Sequence, residues 1–379
     1  MTPRVKTKWQ AASTTMTSLL MAGAVGCATG SVGEREATSP GEAELETNEL
    51  VGAEALAPKD TVAAVAQRLA RGETMSALDL VDAALEGSPE DAELHLARGS
   101  VLQALRRGED AIEAWERALS LEPSLFGALD GIGTVHLDNG RPEDAVKFFR
   151  KALDIQPDFA AGQYNYALAL RQLGALDRAL EAMDRARVLE PDDPEILLEQ
   201  ASMLEAAGRV KEARAAVHEA AVKAPNDAWV QMINGDVLTA EGAPPEAILG
   251  AYRTAVRLEP SLSAARARLL RVLFRAGSLD EAFAVTTEAM RRAPKDAGVW
   301  SDHAAVQHAQ GDLQSALDSL DRALEFDPAI VAAHRRRVRV YGALARCEEA
   351  LAGIEVMAAA GVDAAQVDRA RVDFKRACP

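Results

Sequence analysis

The sequence has few aromatic residues, few cysteines and no long apolar run. Aromatic residues make up 4% of the chain, while alanine is frequent throughout. This composition favours closely packed helices over a β-rich core, because alanine is the best helix former. Acidic residues outnumber basic ones by 58 to 42, which gives a net charge of −16. An acidic chain repels phosphate groups, so the composition argues against a nucleic-acid-binding protein.

Motifs for catalysis and metal binding are also missing. The sequence contains neither a glycine-rich phosphate loop ending in Lys and Ser or Thr, nor a His-Glu-x-x-His motif. Its six histidines are scattered along the chain, and paired carboxylates in an acidic helical protein usually form solvated surface. We therefore expect no metal site, no cofactor and no enzymatic activity.

The N-terminal segment has the pattern of an export signal. Three basic residues among the first eight precede an apolar stretch over residues 16–25, which is too short to span a bilayer. The string Ala24-Val25-Gly26-Cys27 resembles a bacterial lipobox, with Ala24 where Leu is usual. The resemblance implies a lipoprotein signal peptide over residues 1–27 and lipidation of Cys27. The alternative is an ordinary signal peptide that is cleaved nearby, with Cys27 incidental.

Residues 28–57 are rich in Gly, Ser, Thr, Ala and Glu. Such a segment cannot bury enough apolar surface to fold, and we expect a disordered acidic tether. The lipobox resemblance implies attachment to a membrane of the bacterial envelope, on the periplasmic side. Ala28, rather than Asp, follows the cysteine, and this favours the outer membrane over the inner one.

The rest of the chain is periodic. Prolines recur every 34 residues, with one interval of 35, and each one marks a boundary between helices. They are Pro89, Pro123, Pro157, Pro191, Pro225, Pro260, Pro294 and Pro328. Between prolines, each repeat carries a small–large–small stripe such as Ala111, Trp115 and Ala118, which share one helix face. A glycine before most stripes suits the turn that ends the preceding helix.

This pattern resembles the tetratricopeptide repeat, in which each repeat is a pair of antiparallel helices. The resemblance implies an all-α, right-handed superhelical solenoid of nine repeats over residues 58–361, followed by a capping helix with exposed charge over residues 362–379. The predicted repeats begin near Pro58, Ala92, Phe126, Ala160, Pro194, Ala228, Ser263, Ala297 and Val331.

Two local features leave alternatives open. The single extra residue is predicted to lie within residues 248–251, inside the second helix of repeat six, as a π-bulge. It would either bend the superhelix or be absorbed by packing. Near the C-terminus, Cys347 and Cys378 form either a disulfide that pins the capping helix or two separate thiols.

In the tetratricopeptide family the first helix of each repeat lines a concave groove that binds partner segments. Repeat positions 2, 5, 6, 9, 12 and 13 carry this role over to an acidic and aromatic middle and a basic C-terminal end. The residues predicted to contact a partner are Tyr164, Asn165, Trp229, Met232, Arg268, Arg271, Phe274, Arg275, Arg335, Arg336 and Arg339.

The densest basic cluster contains Arg335, Arg336 and Arg339. Guanidinium groups suit carboxylates, so one hypothesis is capture of an acidic or C-terminal carboxylate segment. The other is an arginine face neutralised by Asp302, Asp318 and Asp321 of adjacent helices. For the whole protein we expect a scaffold or adaptor of the envelope that binds proteins or peptides. The alternative is an accessory substrate-binding subunit of an envelope enzyme, such as a glycosyltransferase or a peptidoglycan hydrolase.

Overall fold

The computed structural model describes residues 57–359 and 362–378. The predicted signal peptide, the lipidation at Cys27 and all but the last residue of the predicted tether lie outside this part of the chain. Across the described residues the fold is entirely helical, with nine consecutive helical hairpins and one further helix. The all-α repeat fold expected from the sequence is therefore confirmed.

The helices are numbered here in chain order, so that odd-numbered helices α1–α17 are the first helices of the nine hairpins. Their bounds are α1 Pro58–Ala70, α2 Thr74–Gly87, α3 Ala92–Ala104, α4 Gly108–Leu121, α5 Phe126–Asp138, α6 Pro142–Ile155, α7 Ala160–Gln172, α8 Leu176–Leu189, α9 Pro194–Ala206, α10 Val210–Lys223, α11 Ala228–Glu241, α12 Pro245–Leu258, α13 Ser263–Ala276, α14 Leu279–Arg292, α15 Ala297–Gln310, α16 Leu313–Phe326, α17 Val331–Ala343, α18 Cys347–Ala359 and α19 Ala364–Ala377.

The small–large–small stripes form the cores of the hairpins. Trp115 of α4 is fully buried, and a Cβ atom added to Gly99 or Gly131 would come within 2.4 Å or 2.6 Å of its indole ring. The large residue of each second helix thus fills the space that small residues of the first helices leave open. This complementarity lets neighbouring hairpins stack closely. The stacking buries apolar surface that a single hairpin would leave exposed.

The turns inside the hairpins require a left-handed residue. Seven glycines provide it with φ between 68° and 86°. In the two hairpins without that glycine, Arg106 and Ala345 take φ values of 61° and 56° instead. A side chain in this conformation is sterically unfavourable, so these two turns store strain that the others avoid.

The structure corrects the predicted site of the extra residue in repeat six. Helix α12 is regular from Pro245 to Leu258, and Ile248, rather than Ala247, takes the buried place of the first small residue. The extra residue lies instead in the turn, between Gly242 and Pro245. A turn absorbs an added residue without disturbing helical hydrogen bonds, and proline is well suited to the first position of the helix that follows.

The chain divides into two compact units whose boundary lies between Ala213 and Arg214, within α10. In the first unit, a buried cluster built around Leu94, Leu102, Trp115 and Ile132 joins α1 to α5. In the second unit, one cluster centres on Tyr252 and Leu269, and others follow along α15 to α19.

Helix α19 packs on the last hairpin of the second unit. Val367 and Ala370 are buried against Val338 and Ile354, and Phe374 is partly buried in the same cluster. Cys347 and Cys378 form a disulfide with a Cα–Cα distance of 5.8 Å, so the bonded alternative is the one that the structure contains. The disulfide joins the first residue of α18 to the residue that follows α19.

Candidate binding surface on the first helices

The surface formed by repeat positions 2, 5, 6, 9, 12 and 13 of the first helices is called here the first-helix surface. In the first unit it is acidic, and its polar residues pair between neighbouring hairpins. The amide of Asn165 donates to both carboxylate oxygens of Asp130, at 3.3 and 3.2 Å. Burial raises the pKa of Asp130 to about 7, and the bond from Asn165 offsets part of that rise. Arg171 likewise donates to Glu199, whose pKa is raised by burial.

Two residues predicted to contact a partner are buried. Tyr164 and Met232 are each 2% exposed, so a segment lying on this surface would not reach their side chains. Both pack into the interior, although Asp130 and Arg335, at the same repeat position, are only partly buried. We therefore leave them out of the candidate surface. Asn165 is half-buried and occupied by Asp130.

In the second unit, Arg268 of the first-helix surface is already paired with a carboxylate of the neighbouring first helix. Arg268 donates from Nε to both oxygens of Asp236 at 2.7 Å, and the Tyr252 hydroxyl donates to the same carboxylate. Trp229 and Phe274 are partly buried and pack against the surrounding core cluster. Trp229 and Phe274 therefore contribute mainly to the packing of the hairpins.

Asp302 of α15 neutralises two arginines at once. It accepts from Arg266 Nε at 2.9 Å and from Arg336 Nη2 at 3.1 Å. Arg266 has no exposed surface, and Arg336 also donates to Ser301. Because both oxygens of Asp302 are engaged, Arg336 belongs to a structural network.

Next to this network lies a cavity of about 420 Å³ between α17 and α19, called here the arginine pocket. Its lining residues are Val331, Ala332, Arg335, Arg336, Arg339 and Gln366. Arg335 donates from Nε to Asp373 Oδ2 at 2.9 Å, and Nε of Arg339 lies 3.6 Å from the same oxygen. Asp373 was expected to be exposed charge of the capping helix, but its side chain is only 12% exposed. Burial lowers the pKa of His308, and the charge of Arg339 lowers it further.

Much of the C-terminal arginine cluster is therefore neutralised by nearby carboxylates, as the second of the two hypotheses predicted. Asp302 takes part as expected, and Asp321 pairs with Arg337 at 3.3 Å. Asp318 instead accepts from Gln314. The main partner of Arg335 and Arg339, Asp373, was missed because it lies on the capping helix α19, beyond the last hairpin. In the sequence, Asp373 lies two residues before the basic pair Lys375-Arg376, and nothing there indicates that it pairs with α17.

Arg271 and Arg275 of α13 differ from the other predicted contact residues. Both side chains are exposed, and neither has a hydrogen bond or an ion pair with any described residue. They stand one helical turn apart and so lie on the same face. Residues 214–379 contain 21 of the 42 basic residues but only 22 of the 58 acidic ones, so nearly all of the net negative charge is carried by residues before Arg214.

Within residues 57–359 and 362–378, no group of three or more His, Cys, Asp or Glu side chains is arranged to hold a metal ion. The same part of the chain has no helix with the length and apolar character needed to cross a membrane.

The family model described as the tetratricopeptide repeat matches residues 67–124, 131–194, 167–228 and 198–263. Together these matches span about half of the chain and lie in both compact units. No curated protein matches the chain in sequence.

Several solved structures are similar to the chain. PilF of Pseudomonas aeruginosa is 20% identical with a TM-score of 0.48, over 55% of this chain and 95% of that one. A tetratricopeptide repeat protein of Parabacteroides merdae is 15% identical with a TM-score of 0.46, over 66% and 98%. MamA of Desulfovibrio magneticus is 22% identical with a TM-score of 0.39, over 43% and 92%.

Proposed function

This chain belongs to the tetratricopeptide repeat family, and we propose that it is a scaffold of the bacterial cell envelope that binds acidic segments of partner proteins without catalysing a reaction. Repeat proteins of this kind present extended surfaces for partners. The single observation that carries the choice of partner is the pair Arg271 and Arg275, which are exposed and unpaired among the described residues.

The expected partner segment is extended and acidic. Arg271, Ala305 and Arg339 share position 9 in three consecutive first helices, and the small Ala305 leaves room between the two arginines. Neighbouring helix axes lie about 10 Å apart, so the backbones of Arg271 and Arg339 are roughly 20 Å apart. An extended segment of about six residues covers that distance. Carboxylates on such a segment would receive charge-assisted hydrogen bonds from the guanidinium groups.

A labelled hexaglutamate peptide tests this proposal by fluorescence anisotropy at low salt. We expect Arg271→Glu with Arg275→Glu to weaken binding at least tenfold. The matched control is Arg291→Glu with Arg292→Glu on α14, which changes the net charge equally on a second helix. Equal losses in both double variants would show that only the overall charge matters, and the proposed site would be wrong.

The envelope part of the proposal rests on residues 1–57, through the lipobox-like string ending at Cys27 and the Gly-, Ser- and Glu-rich segment that follows. A lipid on Cys27 would hold the repeats near the periplasmic face of a membrane, most favourably the outer one. Cell fractionation of Cys27→Ser tests it. We expect the variant to leave the membrane fraction, and retention there would refute the lipid anchor.

A further inference from the structure

The arginine pocket has the chemistry of a carboxylate-binding site that the chain itself occupies. Arg335 directs Nε and Nη2 at one oxygen of Asp373, each at 2.9 Å, and Nε of Arg339 lies 3.6 Å from the same oxygen. Gln366 adds an amide group to the lining. Arginine binds carboxylates best when two donors meet two oxygens. All of these contacts reach Oδ2 alone, so a carboxylate that offered both oxygens would satisfy the pocket better than Asp373 does.

The helix that carries Asp373 stands where a further first helix would stand. Ala364, its first residue, follows Val331 by 33 residues, close to the repeat length. Helix α19 packs against α17, as first helices of neighbouring hairpins do in this unit. It therefore covers the part of α17 that presents Arg335 and Arg339, where a partner segment would otherwise lie.

Two kinds of contact keep α19 in this place. Val367, Ala370 and Phe374 supply a small apolar contact with the last hairpin. The Cys347–Cys378 disulfide fixes the C-terminal end of the helix, four residues after Phe374. Asp373 lies next to that fixed end. The disulfide thus raises the effective concentration of this carboxylate at the arginines.

We propose that the arginine pocket is a second binding site for a carboxylate of an acidic partner segment, that Asp373 is its internal competitor, and that the Cys347–Cys378 disulfide sets how strongly Asp373 competes. This inference rests on the proposed binding of acidic segments. With the disulfide formed, Asp373 holds Arg335, and a partner segment is bound by Arg271, Arg275 and the exposed part of Arg339. When an external dithiol reduces the disulfide, two thiols replace the sulfur–sulfur bond and the dithiol is oxidised to its own disulfide. Helix α19 is then held only by its apolar contacts and by the pairing of Asp373 itself. A partner carboxylate can therefore displace Asp373.

The test uses the full chain and the labelled hexaglutamate peptide. The chain is compared in the oxidised form, after reduction by dithiothreitol, and as the oxidised variants Asp373→Asn and Asp368→Asn. Asp368 lies on the same helix and pairs with Arg371 within it, so its substitution changes the net charge equally without touching the pocket. We expect reduction and Asp373→Asn each to tighten binding about tenfold, and Asp368→Asn to change it less than twofold.

Adding Arg335→Gln to Asp373→Asn should abolish the gain, because the new carboxylate loses its main donor. Equal affinities of Asp373→Asn and Asp368→Asn would overturn the pocket as a binding site. Unchanged binding after reduction, with circular dichroism showing full helicity, would overturn the role of the disulfide. If binding does not depend on Arg271 and Arg275, the proposed function fails, whereas the comparison of Asp373→Asn with Asp368→Asn still decides this inference.

Discussion

Arg266, which has no exposed surface, donates from Nε to Oδ2 of Asp302 across 2.9 Å. Arg336 donates to the other oxygen of that carboxylate. Asp302 therefore joins α13, α15 and α17, three first helices in a row. Burying these charged groups carries a large desolvation cost. The network therefore stabilises the fold only while each charged group keeps its partners.

Replacing Arg266 with Met should destabilise the second unit by about 3 kcal/mol, because a largely buried carboxylate loses a charged partner. Urea unfolding followed by far-ultraviolet circular dichroism measures the change. Arg322→Met is the control, since Arg322 pairs with Glu325 on an exposed helix face and should contribute less than about 1 kcal/mol. A loss no larger than that of the control would contradict a structural role for the buried pair.

Gly235→Ala and Gly250→Ala should have opposite effects on stability. A Cβ at Gly235 would lie 2.5 Å from the ring of Tyr252, whose hydroxyl is held by Asp236, so we expect a loss of about 1–3 kcal/mol. A Cβ at Gly250, within α12, would have no atom within 4 Å, and its substitution should add about 0.5–1 kcal/mol. Thermal melts of the two variants provide the comparison. Equal shifts would show that the ring contact is not tight.

Ala345→Gly should stabilise the last hairpin by about 1 kcal/mol, because Ala345 has φ of 56° and glycine adopts that conformation without steric cost. The reverse change, Gly311→Ala, is the matched control in the preceding hairpin, where φ is 86°. It should lower the melting temperature while Ala345→Gly raises it. A decrease with Ala345→Gly would mean that the alanine makes contacts worth more than the strain.

The first unit should lose stability between about pH 4 and pH 7 through Asp130. The pKa of this carboxyl is about 7 in the folded chain, against an ordinary value of 3.8. Across that interval the folded chain binds a proton that the unfolded chain releases. The resulting stabilisation is present at acid pH and is lost as the pH rises. Because Asp130 is partly exposed, the expected change in the free energy of unfolding is on the order of 1–2 kcal/mol.

Asp130→Asn should remove this component from the pH dependence of the urea midpoint. Asp144→Asn serves as its control on a second helix of the same unit, because Lys147 lowers the pKa of Asp144 and the group stays ionised throughout the interval. Identical profiles for wild type and Asp130→Asn would show that the carboxyl does not titrate there. Histidines whose pKa is lowered, such as His136, act in the opposite direction but equally in all three chains.

The positions of the helices could be predicted because short-range sterics determine them. Pro123 cannot continue a helix, and the glycine of most turns, such as Gly140, takes a conformation that is unfavourable for residues with a side chain. The extra residue of repeat six was misplaced because Ala247 and Ile248 are both apolar. Only packing decides which of the two is buried.

The candidate surface was harder to predict, since repeat position says which face a residue occupies but not which charge will meet it. Arg271 and Arg335 are both arginines on the predicted groove face of a first helix, yet Arg271 is exposed and Arg335 is bound to Asp373. That difference depends on a helix 38 residues further along the chain. The spacing of the cysteines left the disulfide open for the same reason, because it does not show where α19 ends relative to α18.

The buried indole of Trp115 makes the first unit optically distinct. Its Nε1 donates to the carbonyl of Leu96 at 3.2 Å, and the ring is fully shielded from solvent, whereas Trp229 and Trp300 of the second unit are partly exposed. With the other tryptophans changed to Phe, fluorescence emission would shift to longer wavelength only when the first unit opens. The melting of one unit could then be timed separately from that of the whole chain.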